Sequence, residues 1–304
     1  MNILLTGATG FIGSHIADYL LKSNHAVYAT CRHTSDFGKC TTFIDKVIWL
    51  NQDTDNWQQN IEYVELDLLI HTAWAGVSAS QRDDWDIQLS NFQFSRKIIE
   101  FSLQLNVKKI ICLGSQAEYG QFEYKVAEDQ VPYPKDAYGV VKLMTLYYLR
   151  NIADKNIVNW YWLRVFSIIG QNENDSWLLP QVINKLLSGN EIELTEGKQC
   201  YDYLFIDDFL NRLNLVIEEQ KNLSGVYNVC SGRSVEIREL LLLVADKLKI
   251  SNTKLLFGKI PYRENQNMYI IGSTDKFENC FGKLIYETLD ETVSKISNYY
   301  QNKL

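Results

Sequence analysis

Short apolar runs alternate with helix-length or loop segments through the first half of the chain. The runs are rich in β-branched and aromatic residues, as strands are, and they read NILLT, AVYAT, KVIWL, LDLLIHTA, KKIICLG and IVNWYWLRV. Strands that alternate with helices build a parallel sheet covered by helices. The pattern therefore predicts an α/β fold with a parallel sheet for this part of the chain.

The pattern changes after about Gly170. PQVINKLLSG predicts a helix, QCYDYLFIDDF a strand that leads into a helix, and GVYNVCSG a strand before the helical VEIRELLLLVADKL. A chain of 304 residues is also long for one compact core. We therefore predict a Rossmann-type, doubly wound domain over residues 1–166 and a smaller mixed α/β lobe, mainly substrate-binding, over residues 167–304. Some segments of that lobe are expected to return to the first domain.

Composition narrows the class of partner and cofactor. The chain is 46% apolar and 22% charged, and its apolar runs fall short of the roughly 20 residues that cross a membrane. A net charge of −7 disfavours a nucleic-acid surface. The six cysteines and four histidines form no C-x-x-C or H-E-x-x-H pattern, so we expect free thiols and no metal site. Because the initiator methionine leads straight into a strand and a glycine turn, we expect a cytoplasmic protein with a small-molecule partner.

A glycine turn follows the first predicted strand. TGATGFIGS carries Gly7, Gly10 and Gly13 three residues apart and opens the amphipathic helix FIGSHIADYLLKS. Glycines there let the backbone approach a pyrophosphate, which binds to free N–H groups at the helix N-terminus. A tight turn needs glycine in any case, but this one stands in the first βα turn with a second strand at the expected distance. We predict a dinucleotide site formed here by Gly7, Thr9, Gly10, Phe11, Ile12 and Gly13.

The end of the second predicted strand bears on the choice of cofactor. A dinucleotide site usually presents an acid there to hold the ribose hydroxyls, but this chain has Cys31 and Arg32. An arginine at this place can pair with the 2′-phosphate of NADP, or it can be an ordinary solvated residue. We predict NADP(H) as the preferred cofactor and keep NAD(H) as the alternative.

Three residues form a candidate reaction centre. Ser115 stands at the end of a predicted central strand, and YGVVK places Tyr138 and Lys142 four residues apart on one face of the next helix. An ammonium beside a phenol favours the phenolate, so we expect the pKa of Tyr138 to be lowered toward the range of a general acid or base. Ser115 is expected to hydrogen-bond the substrate oxygen that Tyr138 protonates.

With these motifs, the chain resembles the extended short-chain dehydrogenase/reductase family, in particular the NAD(P)-dependent nucleotide-sugar epimerases, dehydratases and reductases. The resemblance runs nearly end to end and is carried by TGATGFIGS, LLIHTAWAG, GSQAEYG, YGVVK, LRVFSIIGQ, QCYDYLFIDD and YNVCSGRSVEIREL. It implies a catalytic triad of Ser115, Tyr138 and Lys142, with Lys142 also holding the nicotinamide ribose. It further implies that cofactor contacts come from Asp53, Thr72, Ala73, Trp74 and Asn91.

Departures from the family's patterns reduce the number of reactions that the chain can be expected to catalyse. Sugar-nucleotide 4,6-dehydratases carry Asp-Glu after the catalytic serine or threonine, whereas this chain has Gln116 and Ala117. Without that acid and base, dehydration lacks its proton shuttle, and the chemistry is confined to moving a hydride and a proton at one carbon. GSQAEYG and the later PYRENQNMY resemble reductases that act on nucleotide-linked 4-keto-6-deoxy sugars. We predict NADPH-dependent reduction of the C4 keto group of a nucleotide-linked 4-keto-6-deoxy or dideoxy hexose.

Two other functions stay open at this stage. An NAD-dependent nucleotide-sugar 4-epimerase uses the same three residues and gains from holding one cofactor through many turnovers. A regulatory protein that senses NADP without turnover has no need for the activated phenol that the motif supplies.

Substrate contacts are predicted from single residues. Gln116 and Trp177 are candidate pocket residues, although Trp177 can instead pack between lobes. Arg263 in IPYREN can pair with the substrate diphosphate or be an ordinary surface residue. Tyr201 stands before Asp202 where the family commonly has an arginine, so one cationic contact of the family is missing.

The helical pattern between Asp83 and Asn106 is apolar on two faces. One face can cover the sheet, and the second invites a partner or burial under the second lobe. Family members commonly dimerise through this helix and the helix with Tyr138, so we expect a homodimer.

Overall fold

The strands and helices follow one another as the apolar pattern predicts over the first half of the chain. In this computed structural model, which describes residues 1–264, 266–283 and 285–303, the strands are β1 (Asn2–Thr6), β2 (Ala26–Cys31), β3 (Ile48–Asn51), β4 (Leu68–His71), β5 (Lys109–Ser115), β6 (Asn159–Val165), β7 (Ser167–Ile169), β8 (Ile192–Leu194), β9 (Cys200–Tyr201), β10 (Tyr203–Phe205), β11 (Gly225–Val229), β12 (Val235–Glu236), β13 (Leu255–Phe257) and β14 (Tyr269–Ile270). The helices are α1 (Phe11–Lys22), α2 (Trp85–Gln104), α3 (Ala137–Asn156), α4 (Leu178–Leu187), α5 (Ile206–Glu218), α6 (Ile237–Lys247), α7 (Asp275–Phe281) and α8 (Leu289–Asn302).

A seven-stranded sheet has the order β11-β6-β5-β4-β1-β2-β3. The strands from β3 to β6 pair in parallel, with Ile3 of β1 opposite Val27 on one side and opposite Leu68 on the other. The chain runs outward from β1 to β3 and then returns to β4, so the order reverses between β1 and β4. This is the topological switch point of a doubly wound fold, at whose carboxyl edge ligands bind. The predicted Rossmann-type fold is confirmed.

Helices α2 and α3 pack against each other and against the sheet. The core between them combines fully buried residues of β1, β4 and β5 with Ile98 and Phe101 of α2 and Leu149 of α3. The other apolar side of α2 carries Trp85 and Leu89, which are 51% and 41% exposed. An exposed apolar side is what the predicted dimer contact requires, and the dimer itself stays a prediction.

The chain divides into two compact units. The first unit comprises Met1–Gly120, Asp129–Val165 and Asn214–Tyr227, and the second comprises Gln121–Glu128, Phe166–Leu213 and Asn228–Leu304. The second unit contains small sheets, in which β10 pairs with β7, β13 with β8, and β9 lies between β12 and β14. Helices α4, α6 and α8 pack on one another. That this unit binds substrate stays a prediction.

Two simpler features complete the description. All six cysteines are free thiols. Within the described residues, no helix is both long and apolar enough to span a bilayer.

Candidate active site

The glycine turn between β1 and α1 has the backbone geometry that a pyrophosphate site needs. Gly7 has a φ of +77°, and a Cβ atom there would lie 2.5 Å from Thr72 Oγ1. A Cβ atom on Gly13 would lie 2.0 Å from the carbonyl oxygen of Gly7, so glycine is required at both positions. Gly10 is the N-cap of α1 and has no side chain that could cap the helix, so this helix N-terminus has the form that phosphate sites use. The same turn and first helical turn contain Thr9, Phe11 and Ile12.

Side-chain hydrogen bonds join the ends of β1 and β4 beside this turn. Thr6 Oγ1 lies 2.7 Å from His71 Nδ1 and accepts from the backbone N–H groups of Thr72 and Ala73, each at 3.2 Å. Burial lowers the pKa of His71 to about 3, so the imidazole is neutral. The segment that carries Thr72 and Ala73 is therefore fixed at the switch point, where the sequence predicts the cofactor.

Two amides of α2 hold the loop that follows β4. The side chain of Asn91 accepts from the N–H of Ala75 and donates to its carbonyl oxygen, both at 2.9 Å. Gln88 is fully buried and accepts from Trp74 Nε1 at 2.8 Å. Asn91 thus positions the loop with the same amide that was predicted to contact the cofactor, and that contact stays a prediction.

The end of β2 presents both a cation and a carboxylate. Arg32 follows β2 directly and its residue is exposed. Asp53, two residues beyond β3, accepts from the backbone N–H of His33 at 2.7 Å. Burial, and to a lesser degree the charge of Asp53, raise the pKa of Cys31 at the end of β2. The acid that β2 itself lacks is brought there by the neighbouring strand.

Ser115 is the last residue of β5 and opens a short 3-10 turn, Gln116–Tyr119. Its Oγ accepts from the N–H of Ala117 at 3.2 Å, and its own N–H donates to Glu118 Oε1 at 2.8 Å. The Ser115 side chain also accepts from the N–H of Glu118, and with the Glu118 bond to the Ser115 N–H this forms a capping box, which fixes the serine at the edge of the sheet. Sequence reasoning placed Ser115 correctly at the strand end but did not single out Glu118.

A buried ion pair lies behind this serine. Glu118 is 0% exposed and accepts from Trp162 Nε1 at 2.9 Å and from Arg164 Nε at 2.7 Å. The guanidinium of Arg164 also lies 4.3 Å from the centroid of the Tyr119 ring. Burial lowers the pKa of Arg164, but the charge and hydrogen bond of Glu118, together with those of Tyr119, outweigh burial, so the pKa is raised. Both charges are compensated, so the support of Ser115 is electrostatically satisfied.

Tyr138 lies in the first turn of α3 and is 9% exposed. Burial raises the pKa of its phenol, while a hydrogen bond with the Ser115 side chain and the charge of Arg82 lower it by less. The prediction that Lys142 lowers the pKa of Tyr138 is wrong for the free protein. The Lys142 ammonium lies 5.8 Å from the centroid of the Tyr138 ring, and burial dominates. Tyr138 is therefore protonated at neutral pH.

Lys142 lies one helical turn further along α3 and is 4% exposed. Its ammonium donates to the carbonyl oxygen of Leu113 at 2.7 Å and lies 3.7 Å from the centroid of the Trp74 ring. Burial lowers the pKa of Lys142 to about 7. The structure therefore brings Ser115, Tyr138 and Lys142 together with Trp74, whose ring lies edge-on to that of Tyr138.

Arg82 is a residue that sequence reasoning missed. It lies in the loop before α2, and its guanidinium carbon is 4.4 Å from the centroid of the Tyr138 ring. Its backbone carbonyl accepts from the N–H of Tyr138 at 2.8 Å. No spacing signal marks this arginine, because the contact depends on the path of a loop more than 50 residues upstream of α3.

The predicted substrate contacts fall in different parts of the molecule. Gln116 adjoins Ser115 in the first unit, and its buried Oε1 has no hydrogen-bond partner among the residues described. Trp177 is half-buried at the N-cap of α4, and Arg263 is exposed; both belong to the second unit. Arg263 lies near Tyr201, whose pKa is raised by burial against the opposing charge of Arg263. The substrate roles of all three predicted residues stay predictions.

The fold and this site define an enzyme of the extended short-chain dehydrogenase/reductase type. A family model described as the NAD dependent epimerase/dehydratase family matches residues 3–230, and the chain belongs to that family.

Several relatives span most of the chain. The dTDP-6-deoxy-L-talose 4-dehydrogenase (NAD(+)) of Aggregatibacter actinomycetemcomitans is 25% identical over 90% of this chain and 100% of that protein. The CDP-abequose synthase of Salmonella muenchen is 24% identical over 88% of this chain and 87% of that protein. The crystal structure of UDP-glucuronic acid 4-epimerase from Bacillus cereus, in complex with UDP-glucuronic acid and NAD, has a TM-score of 0.89 at 21% identity and covers 100% of both chains. This structural likeness shows the shared fold.

Proposed function

We propose that the chain uses NADPH to reduce the C4 keto group of a nucleotide-linked 4-keto-6-deoxy or dideoxy hexose. The observation that carries the proposal is the protonated, buried phenol of Tyr138, hydrogen-bonded to Ser115, with Gln116 and Ala117 where a dehydratase needs an acid and a base. Such a site has a proton donor for one oxygen and no pair for eliminating water.

The residues divide the work at the carbonyl. A bound NADPH supplies the hydride that reaches C4. As the carbon–oxygen double bond becomes single, Tyr138 gives its phenolic proton to the oxygen, and Ser115 Oγ hydrogen-bonds that same oxygen. When Lys142 is protonated, below its pKa of about 7, it holds a positive charge near the tyrosinate that remains, and solvent returns the proton to Tyr138. One hydride and one proton are added, so the product is the C4 alcohol.

The names of two relatives support the substrate class. One is a 4-dehydrogenase of a dTDP-linked 6-deoxy sugar and the other is a synthase of a CDP-linked sugar. Both span nearly the whole chain, so we assign this chain a nucleotide-linked sugar and reaction at C4.

The cofactor preference rests on the end of β2. Arg32 directly follows β2 and is exposed, and an arginine at this place can pair with a 2′-phosphate, which supports NADPH. The Asp53 carboxylate beside the same strand end favours a ribose hydroxyl instead. This carboxylate is the specific observation in favour of the second candidate, an NAD-dependent nucleotide-sugar 4-epimerase.

The remaining parts of the proposal concern binding and assembly. We place the substrate diphosphate at Arg263 in the second unit, because a guanidinium matches phosphate oxygens. In the first unit, Gln116 contributes its Oε1, which has no hydrogen-bond partner among the described residues, to the sugar. In the second unit, Trp177 contributes an aromatic substrate contact. We assign the exposed apolar side of α2, with Trp85 and Leu89, to a homodimer contact.

The first test follows NADPH absorbance with purified protein and a panel of dTDP-, CDP-, GDP- and UDP-linked 4-keto-6-deoxy sugars, with NADH in parallel. Substrate-dependent oxidation of NADPH is expected. If no cofactor is consumed but NAD is released from the denatured protein, the 4-epimerase takes its place.

A second test uses Tyr138→Phe, which keeps the ring and removes the proton donor. Turnover is expected to fall by about 10²- to 10⁴-fold. The matched control is Tyr147→Phe on the same helix, since Tyr147 is 55% exposed. Near-full turnover by Tyr138→Phe would overturn the assigned proton donor.

A further inference from the structure

The loop before α2 is fastened to the N-terminus of α3 by several hydrogen bonds. Arg82 Nε donates to Asp136 Oδ2 at 2.6 Å, and the carbonyl oxygen of Arg82 accepts from the N–H of Tyr138 at 2.8 Å. Asp83 Oδ1 accepts from the N–H of Ala137 at 3.0 Å. Asp136 is in turn the N-cap of α3. These bonds hold the Arg82 side chain in a defined place over the helix start.

That place is the face of the Tyr138 ring. The guanidinium carbon lies 4.4 Å from the ring centroid, and the Arg82 side chain is only 29% exposed. A guanidinium stacked on a phenol attracts the neutral ring through cation–π contact, and it attracts the phenolate more strongly because the phenolate carries a full charge. The contact therefore strengthens when Tyr138 gives up its proton.

We propose that Arg82 is a positioning residue for Tyr138, which stabilises the phenolate left after proton donation and holds the ring in its donating orientation. The inference rests on the proposed function, because it gives a role to the proton that Tyr138 transfers.

Three other charged groups lie around Tyr138. Glu118 approaches from the turn after β5, Asp136 from the start of α3, and Lys142 from the next turn of α3. Glu118 and Asp136 raise the pKa of Tyr138, whereas the charge of Arg82 lowers it by more than either carboxylate raises it. Arg82 is thus a cation that favours the phenolate against the burial and the two carboxylates that disfavour it.

The experiment titrates Tyr138 directly, without substrate. A difluorinated tyrosine placed at position 138 has a more acidic phenol, so its midpoint moves toward the pH range in which proteins stay folded, and fluorine NMR reports its ionisation. In Arg82→Gln we expect the acid dissociation constant of this phenol to fall about tenfold, which is the usual size for removing one close opposite charge. In Arg82→Lys, which keeps the charge, we expect a clearly smaller change.

A matched control is Arg150→Gln, because Arg150 lies on α3, the helix that carries Tyr138, with its side chain 64% exposed. In this control variant, the titration midpoint of the difluorinated tyrosine should equal that in the protein with Arg82 and Arg150 unchanged. An unchanged midpoint in Arg82→Gln contradicts the proposal. So do equal shifts in Arg82→Gln and Arg82→Lys, because they would show that the lost hydrogen bonds act rather than the charge.

A second measurement uses turnover. Once a keto-sugar that the protein reduces is known, kcat/KM can be measured against pH. The alkaline limb of this profile should move to higher pH in Arg82→Gln, because Tyr138 must be protonated to act as proton donor. A purely structural role would lower kcat/KM without moving the limb. If no keto-sugar is reduced at all, the proposed function fails while the fluorine titration still decides the role of Arg82.

Discussion

The two units each bury an arginine, and they treat it differently. In the first unit Arg164 pairs with Glu118 behind Ser115. In the second unit Arg212 is 1% exposed and lies between the rings of Phe277 and Tyr286, at 4.7 and 4.9 Å from their centroids. None of its guanidinium nitrogens has a hydrogen-bond partner among the residues described. Burial alone therefore does not determine what a buried charge does, because the groups that pair with it decide whether it supports a site or lowers stability.

Each unit also buries one ionisable group whose pKa is shifted to about 7. Burial lowers the pKa of Lys142 in the first unit from its ordinary 10.5 to about 7. Burial raises the pKa of Glu173 in the second unit from its ordinary 4.5 to about 7, against a hydrogen bond from the N–H of Gly170. One group is an ammonium and the other a carboxyl, so the two should make stability depend on pH in opposite directions.

The largest expected effect comes from Lys142→Met. Between pH 7 and 10.5 the unfolded chain holds the Lys142 proton and the folded protein does not, so stability rises with pH in this window. Across the whole window, the free energy of unfolding should rise by an amount on the order of 5 kcal/mol. The methionine variant should lack this rise. Urea unfolding at several pH values across the window measures the slope. Lys155→Met, at an exposed site on the same helix, serves as the control, and equal slopes in Lys142→Met and the unsubstituted protein would contradict the assignment.

Arg164→Met should destabilise the protein by about 3–5 kcal/mol, because it leaves the Glu118 carboxylate buried without its partner. The free energy of unfolding from urea titration tests this. Asp18→Asn removes an exposed pair with Lys22 on α1 and should cost at most about 1 kcal/mol. A loss in Arg164→Met no greater than in that control would show that the buried pair contributes little.

Glu173→Gln should weaken a pH dependence of stability whose sign is opposite to that caused by Lys142. The folded protein keeps the Glu173 proton up to about pH 7, whereas the unfolded chain releases it near 4.5. Stability from this group is therefore complete below pH 4.5 and falls as the pH rises through 7, by about 3 kcal/mol. Thermal unfolding at pH 5 and pH 8 compares the variant with the unsubstituted protein and with Glu191→Gln at an exposed site. A pH difference that persists undiminished in Glu173→Gln would rule out this carboxyl as its source.

Arg212→Met is the same substitution as Arg164→Met and should have the smallest effect, with the opposite sign. The Arg212 guanidinium makes no hydrogen bond among the described residues, and Glu278, Asp202 and Asp208 attract it only through their charges, which do not outweigh its burial. Removing this cation should leave stability unchanged or raise it by up to about 2 kcal/mol. Urea titrations of Arg212→Met and Arg164→Met, carried out side by side, compare the free energies of unfolding of the two variants. Similar losses in both variants would remove the distinction between the two units.

Local pattern predicted much of the fold and part of the site. Apolar runs bounded by polar residues mark β1, β2, β5 and β6, and a glycine turn needs only its own spacing. The strand-end position of Ser115 and the shared helix of Tyr138 and Lys142 are confirmed because both depend on neighbouring residues alone.

Features that depend on distant parts of the chain escaped prediction. Glu118 and Arg164 are 46 residues apart, and Arg82 and Asp136 are 54 apart. Their pairing depends on how strands and loops are brought together, which no spacing encodes. The error about the pKa of Tyr138 has the same origin, since helical spacing gives the nearness of Lys142 but not the burial that outweighs it.

The strand order of the large sheet has a consequence for synthesis on the ribosome. Strand β6 ends at Val165, but its outer neighbour β11 begins only at Gly225, after most of residues 166–224 has contributed to the second unit. The nascent chain therefore carries an unpaired β6 edge until those residues have been translated, and such an edge is a template for aggregation. Chaperone demand should peak in that interval, and a chain truncated before β11 should be prone to self-association.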